Sequence, residues 1–139
     1  MIFRVKKVFV VVSPLFFAVM LWIALTDKFA MFFSCFFTLC LHELGHIAMI
    51  LMLNEKIAIF RIVPIGFSCR LKNQSKVSRE NMMKILIAGP AVNFLTAGLF
   101  YFWTNEFAVM NFLLGIFNLL PVGELDGGRL FQLISTGKR

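Results

Sequence analysis

Long apolar runs separated by short clusters of charge organise this chain. The first run extends from about Val8 to Thr26, behind the basic residues Arg4, Lys6 and Lys7, and Ser13-Pro14 within it offers a kink point. A second covers Phe29 to Leu53, a third goes from about Ile85 to Trp103, and a fourth begins at Phe107 and stays apolar to about Leu125. As helices, runs of this length approach or exceed the reach needed to cross a hydrocarbon layer about 30 Å thick. The pattern predicts an all-α membrane protein: a bundle of four transmembrane helices at about residues 8–26, 29–53, 82–104 and 107–125. The first run is longer than the apolar part of a typical signal peptide and is not followed by a small-residue cleavage site, so it is read as a retained helix.

Between the second and third runs, Asn54 to Lys84 is too polar to span. Phe67, Cys69 and Leu71 alternate with Ser68, Arg70 and Lys72, while Ile57 and Ile59 open an apolar stretch that ends near Pro64 and Gly66. Alternation bounded by turn residues predicts a short β-hairpin over about 57–72 on the cytoplasmic side. Ser78 followed by Glu80 has the form of a helix start, a side-chain cap with an acid in the first turn. No internal repeat, low-complexity tract or appended soluble domain is evident, so residues 1–139 read as one domain.

Composition sharpens this picture: 60% of residues are hydrophobic, 15% are charged and 18 are Phe, which excludes an ordinary soluble domain with a polar surface. A net charge of +7 would suit a nucleic-acid partner, but the basic residues sit at the ends of apolar runs, where they report orientation in a bilayer. The expected partner is therefore lipid, with no nucleic acid. With the N-terminus placed in the cytoplasm, only Lys28 of the 14 Lys and Arg residues falls outside, so both termini are expected to be cytoplasmic. Cys35, Cys40 and Cys69 form no C-x-x-C pair and read as apolar packing residues. Cys40 lies two helical positions from His42, roughly 200° around the axis, which removes it as a co-ligand.

Against this background, His42-Glu43-Leu44-Gly45-His46 carries the chemistry. On a helix, the H-E-x-x-H spacing projects both histidines from one face, where they can hold one zinc ion, with Glu43 as general base. These are the only histidines in the chain. Ionisable groups inside an apolar span are costly and usually face a protein interior. A catalytic zinc site needs a third protein ligand. Asp27, Glu55, Glu80 and Glu106 lie at span ends or in loops, leaving Glu124 and Asp126; Gly127-Gly128 would let another chain approach Asp126 closely, so Asp126 is preferred and Glu124 is the fallback. His46 lies about 10 Å from the cytoplasmic end of its span, and Asn93 and Asn118 roughly 12 Å from the ends of theirs. The two amides are expected either to bond between helices or to hold a substrate backbone.

HELGH at 42–46, AGPAVN at 88–93 and NLLPVGELDGG at 118–128 resemble, in order, spacing and membrane placement, the three signatures of the site-2 proteases, intramembrane zinc metalloproteases of peptidase family M50. The resemblance extends from about Phe29 to Arg129. RIVPIGFSCRL at 61–71, with Glu80 leading into AGP, resembles the sporulation-type branch typified by stage IV sporulation protein FB, although PIGF stands where that branch commonly has a Pro-Phe-Gly-Gly turn. The resemblance implies zinc held by His42, His46 and Asp126, catalysis by Glu43 and substrate positioning by Asn118. It further implies hydrolysis of a membrane-associated or transmembrane protein, such as the anchor of a precursor transcription factor, in a bacterial cytoplasmic membrane. Relatives often continue with further helices and, in this branch, a CBS-type domain. A homo-oligomer is compatible with the chain. The competing readings are an inactive relative that only binds membrane proteins and a zinc transporter; two histidines with an adjacent glutamate argue against the transporter.

Overall fold

The computed structural model describes residues 2–5, 8–12, 29–55, 57–63, 66–71, 77–103 and 105–136, with the strands, Phe29 and Asn105 described by backbone alone. The elements, in chain order, are β1 (Ile2–Val5), β2 (Val8–Val12), α1 (Phe29–Met52), β3 (Ile57–Val63), β4 (Gly66–Leu71), α2 (Arg79–Phe100), α3 (Asn105–Leu119) and α4 (Asp126–Ser135).

The N-terminus departs from expectation. Val8 to Val12 opens the run expected to be the first helix, yet it forms a strand. Four of its five residues are valine, whose branched side chains lose rotamer freedom in a helix and pack well on a pleated surface. It pairs antiparallel with β1 and parallel with β3, with Phe9 opposite Ile59 and Val12 opposite Ile62. The remainder of that expected helix, residues 13–26, lies outside the described residues. β3 and β4 pair antiparallel, from Ile57 opposite Leu71 to Val63 opposite Gly66, over the segment where alternation predicted a hairpin. They belong to a larger sheet of order β1-β2-β3-β4, whose β4 edge lies against α1.

Two described helices are long and apolar enough to cross a membrane, Ala30–Met52 and Arg79–Phe100. The first ends where Asn54 takes a left-handed conformation (φ 56°), which asparagine tolerates better than most residues. The second begins at the expected cap: Ser78 Oγ accepts from the Asn81 amide at 3.2 Å. That start at Arg79, and the end at Phe100, move the helix a few residues ahead of the expected 82–104.

α3 stops at Leu119 rather than near Leu125. Pro121 has no amide hydrogen to donate and disfavours helical backbone in the residue before it, and Gly123 follows at φ 54°. The chain then re-enters a helix at Asp126. Gly128 makes this tight return feasible, because a Cβ there would lie 2.6 Å from the Gly123 carbonyl oxygen and 2.8 Å from that of Val122.

Packing differs from that of a water-soluble bundle: polar side chains share the interior with Ile50, Ile85, Leu86 and three alanines. Thr38, His42, His46, Asn93, Thr96 and Asn111 are buried, while Phe37, Leu95, Leu99 and Leu113 are more than half exposed. An interior that satisfies polar groups beneath an apolar exterior is the arrangement lipid favours.

Candidate metal centre

His42 and His46 lie one turn apart on α1, both buried, with their Nε2 atoms 3.1 Å apart. Asp126, the first residue of α4, brings Oδ2 to 3.0 Å from His42 Nε2 and 3.1 Å from His46 Nε2. α1 and α4 thus meet at three ligand atoms.

The opposite side of each imidazole decides what those atoms are. His42 Nδ1 faces Asn93 Oδ1 at 2.6 Å, and His46 Nδ1 faces the Ile85 carbonyl oxygen at 2.7 Å. Both neighbours are acceptors, so each Nδ1 carries the hydrogen and each neutral ring presents a lone pair at Nε2. Two lone pairs and a carboxylate oxygen therefore converge. A proton on one ring would satisfy one contact, whereas a cation between them satisfies all three. Two imidazole nitrogens and a carboxylate, with both rings fixed from behind, form the donor set of a three-ligand metal site.

Glycine shapes the space around the rings. A Cβ on Gly89 would run into the His46 ring and come within 2.8 Å of His42 Cε1, and one on Gly45 would meet the Ala88 carbonyl oxygen at 2.6 Å. The AGP segment and the HELGH segment can therefore approach backbone to ring, which larger residues would prevent.

The other expected site residues occupy distinct places. Glu43 is half-buried beside the cluster, within electrostatic reach of His42, His46, Asp126 and Arg129, and makes no hydrogen bond or ion pair among the described residues. Glu124, the fallback ligand, is outside the cluster: its exposed carboxylate bonds Arg129 at 2.9 Å. Cys40 is a free thiol outside the cluster. Asn118 is half-buried and donates to the Leu114 carbonyl oxygen of its own helix at 3.2 Å. Of the two roles expected of it, Asn93 has the geometry of bonding between helices. It is completely buried, its Oδ1 accepts from His42, and its Nδ2 donates to the Thr38 carbonyl oxygen at 3.3 Å and to Asn111 Oδ1 at 3.0 Å. Both amide hydrogens are engaged and no surface faces a ligand.

Sequence reasoning passed over Thr38 and Asn111. Thr38 lies four residues before His42, on the same helical face, and Asn111 lies seven residues, or two turns, before Asn118; helical spacing from the known polar positions would have pointed to both.

Comparison with known proteins bears on this geometry. Residues 103–139 match the model of peptidase family M50, a segment that includes Asn118 and Asp126 but not HELGH. A zinc metalloprotease of Methanocaldococcus jannaschii is 30% identical over 122 residues, covering 78% of this chain and 35% of the relative, so the chain spans about a third of that protein. The solved structure of a site-2 protease from Methanocaldococcus jannaschii superposes with a TM-score of 0.77 at 26% identity, over 99% of this chain and 72% of that one.

Proposed function

We propose that this chain, for which family model, curated sequence and solved structure together support peptidase family M50 and the site-2 proteases, is an intramembrane zinc metalloprotease. The observation that carries the reading is the convergence of His42 Nε2, His46 Nε2 and Asp126 Oδ2, with both Nδ1 atoms tied to acceptors behind them.

Zinc is the cofactor this family implies, and the residues fit it: His42, His46 and Asp126 would hold the ion. When bound, zinc supplies a Lewis acid that polarises a carbonyl and makes water acidic enough to attack at neutral pH. Glu43 then acts as general base. It lies in the same helical turn as the ligands, and its carboxylate accepts the proton of the attacking water and returns it to the leaving amine. Asn93 and the Ile85 carbonyl keep the two imidazoles aimed, and Asn118 offers an amide to the substrate near the site.

The substrate class is a membrane-associated or transmembrane protein, locally unwound so that a peptide bond is accessible. Strand addition at the sheet that contains residues 57–71 is a suitable way to hold such an extended segment. The apolar exterior of the helices supports a bilayer location, and the pairing of β2 with β3 supports placing these segments on one side, which the charge distribution alone assigns to the cytoplasm. The finer reading is a four-span core of a bacterial cytoplasmic membrane, acting in regulated proteolysis of a signalling or pro-sigma-factor-like substrate, with the sporulation-type branch suggested by RIVPIGFSCRL and by Glu80 leading into AGP.

The test is zinc content and cleavage of a generic transmembrane substrate by purified protein in detergent. Glu43→Gln is expected to retain zinc and lose cleavage, by a factor on the order of 10²–10⁴. Asp126→Ala is expected to lose both. Native protein that binds zinc but never cleaves would instead favour an inactive module that captures membrane proteins.

A further inference from the structure

We infer that Asn111, which touches no metal ligand, is a positioning residue for the metal centre: acting through Asn93, it holds His42 in the tautomer that leaves Nε2 free for the ion.

The argument rests on directions of donation that backbone carbonyls fix. Asn111 Nδ2 lies 2.9 Å from the Phe107 carbonyl oxygen, which can only accept, so the atom assigned as nitrogen there must be the donor and the other amide atom must be oxygen. The same Nδ2 donates to Thr38 Oγ1 at 3.1 Å, whose own hydrogen goes to the Ser34 carbonyl oxygen at 2.8 Å. Asn111 Oδ1 is thereby turned towards Asn93, whose Nδ2 donates to it at 3.0 Å and to the Thr38 carbonyl oxygen at 3.3 Å. Asn93 Oδ1 is then the only amide atom left for His42 Nδ1. Every bond in the chain points the same way, from His42 through Asn93 and Asn111 to carbonyl oxygens of α1 and α3.

Both asparagines are 0% exposed, so water cannot substitute for a lost partner. Without Asn111 Oδ1, Asn93 Nδ2 keeps only its longer bond, to the Thr38 carbonyl oxygen at 3.3 Å. The amide is then held by that one bond, and turning over costs only this bond and an Oδ1 contact with the Thr38 carbonyl oxygen; turned over, it presents Nδ2 to His42, the imidazole hydrogen sits on Nε2, and metal binding there is blocked. His46 is outside this relay, because the Ile85 main chain aims it. The competing role for Asn111 is simple adhesion between α1, α2 and α3.

The experiment uses ¹⁵N-histidine-labelled full chain in detergent, stripped of metal and held well above the histidine titration range. With only two histidines, each ring resolves separately. In native protein both rings are expected as the Nδ1–H tautomer. In Asn111→Leu, His42 is expected to become a mixture of tautomers while His46 keeps its hydrogen on Nδ1, and zinc affinity is expected to fall about 10-fold. Asn111→Asp, which keeps an acceptor oxygen for Asn93 Nδ2, is expected to restore both. The proposal is overturned if native His42 carries its hydrogen on Nε2, an arm that needs no variant to fold. It is also overturned if Asn111→Leu takes both histidines out of the Nδ1–H tautomer, as general loosening would, or lowers thermal stability with the His42 tautomer and zinc affinity unchanged. The inference rests on the zinc-protease reading for its affinity arm alone; absence of zinc binding or cleavage in native protein would sink that reading while leaving the tautomer result to decide this one.

Discussion

His46 Nδ1 donates to the carbonyl oxygen of Ile85 at 2.7 Å, so one imidazole of the metal centre is aimed by main chain. Its partner is aimed by a side chain, that of Asn93. The two ligands should therefore respond differently to mutation: substitutions of the Ile85 side chain leave the restraint on His46 in place, whereas Asn93 can be removed. Asn93→Ala is expected to weaken zinc binding by about 10–100-fold. Competition with a chromophoric chelator measures it, and an unchanged affinity would contradict the positioning role.

Close backbone approach at Gly89 gives a steric prediction. Gly89→Ala puts a methyl group into the His46 ring and near His42 Cε1, in a region bounded by α1. We expect loss of stoichiometric zinc together with an overpacking penalty of about 1–3 kcal/mol. Metal analysis and thermal unfolding in detergent read the two effects; Gly98→Ala, which meets nothing within 4 Å, is the matched control expected to keep zinc.

Glu124 and Asp126 are two residues apart but differ in exposure and partners. The Glu124 carboxylate is 94% exposed and its ion pair with Arg129 lies in solvent-accessible surroundings, so Glu124→Ala should change stability by less than about 1 kcal/mol and leave zinc bound. Loss of zinc in this variant, with retention in Asp126→Ala, would reverse the ligand assignment.

Asn118 bonds only within its own helix among the described partners, at 3.2 Å to Leu114. Asn118→Ala is therefore expected to keep zinc content and to shift stability by no more than about 0.5–1.5 kcal/mol. Cleavage should fall if this amide holds substrate, and steady-state kinetics on a transmembrane substrate would show it; undiminished cleavage would remove Asn118 from the site.

Metal removal should destabilise the bundle, because α1 and α4 meet through the ligand set. With zinc at 100 times its dissociation constant, linkage predicts about 2.7 kcal/mol of added stability. Thermal unfolding before and after chelation measures it, and identical transitions would argue against a bound ion that bridges these helices.

The three converging residues were legible because their signal is local. His42 and His46 share a helical face by spacing alone, and an acid followed by Gly127-Gly128 at the end of an apolar run marks a place where a chain can come close. The cap at Ser78 and the strand pair over 57–71 also follow from neighbouring residues. Hydrophobicity misled at the N-terminus, since Val8 to Val12 is equally apolar as helix or strand and its pairing with residues 59–62 is a contact across about fifty residues. The end of α3 was misplaced because apolar content continues past Pro121 although its backbone cannot. What the tertiary structure alone decided is the second layer: whether Asn93 faces substrate or His42, and that Asn111 and Thr38 complete its bonds. A sequence lists donors and acceptors, but in a buried interior each amide must find partners on other helices, and only their packing determines which atoms meet.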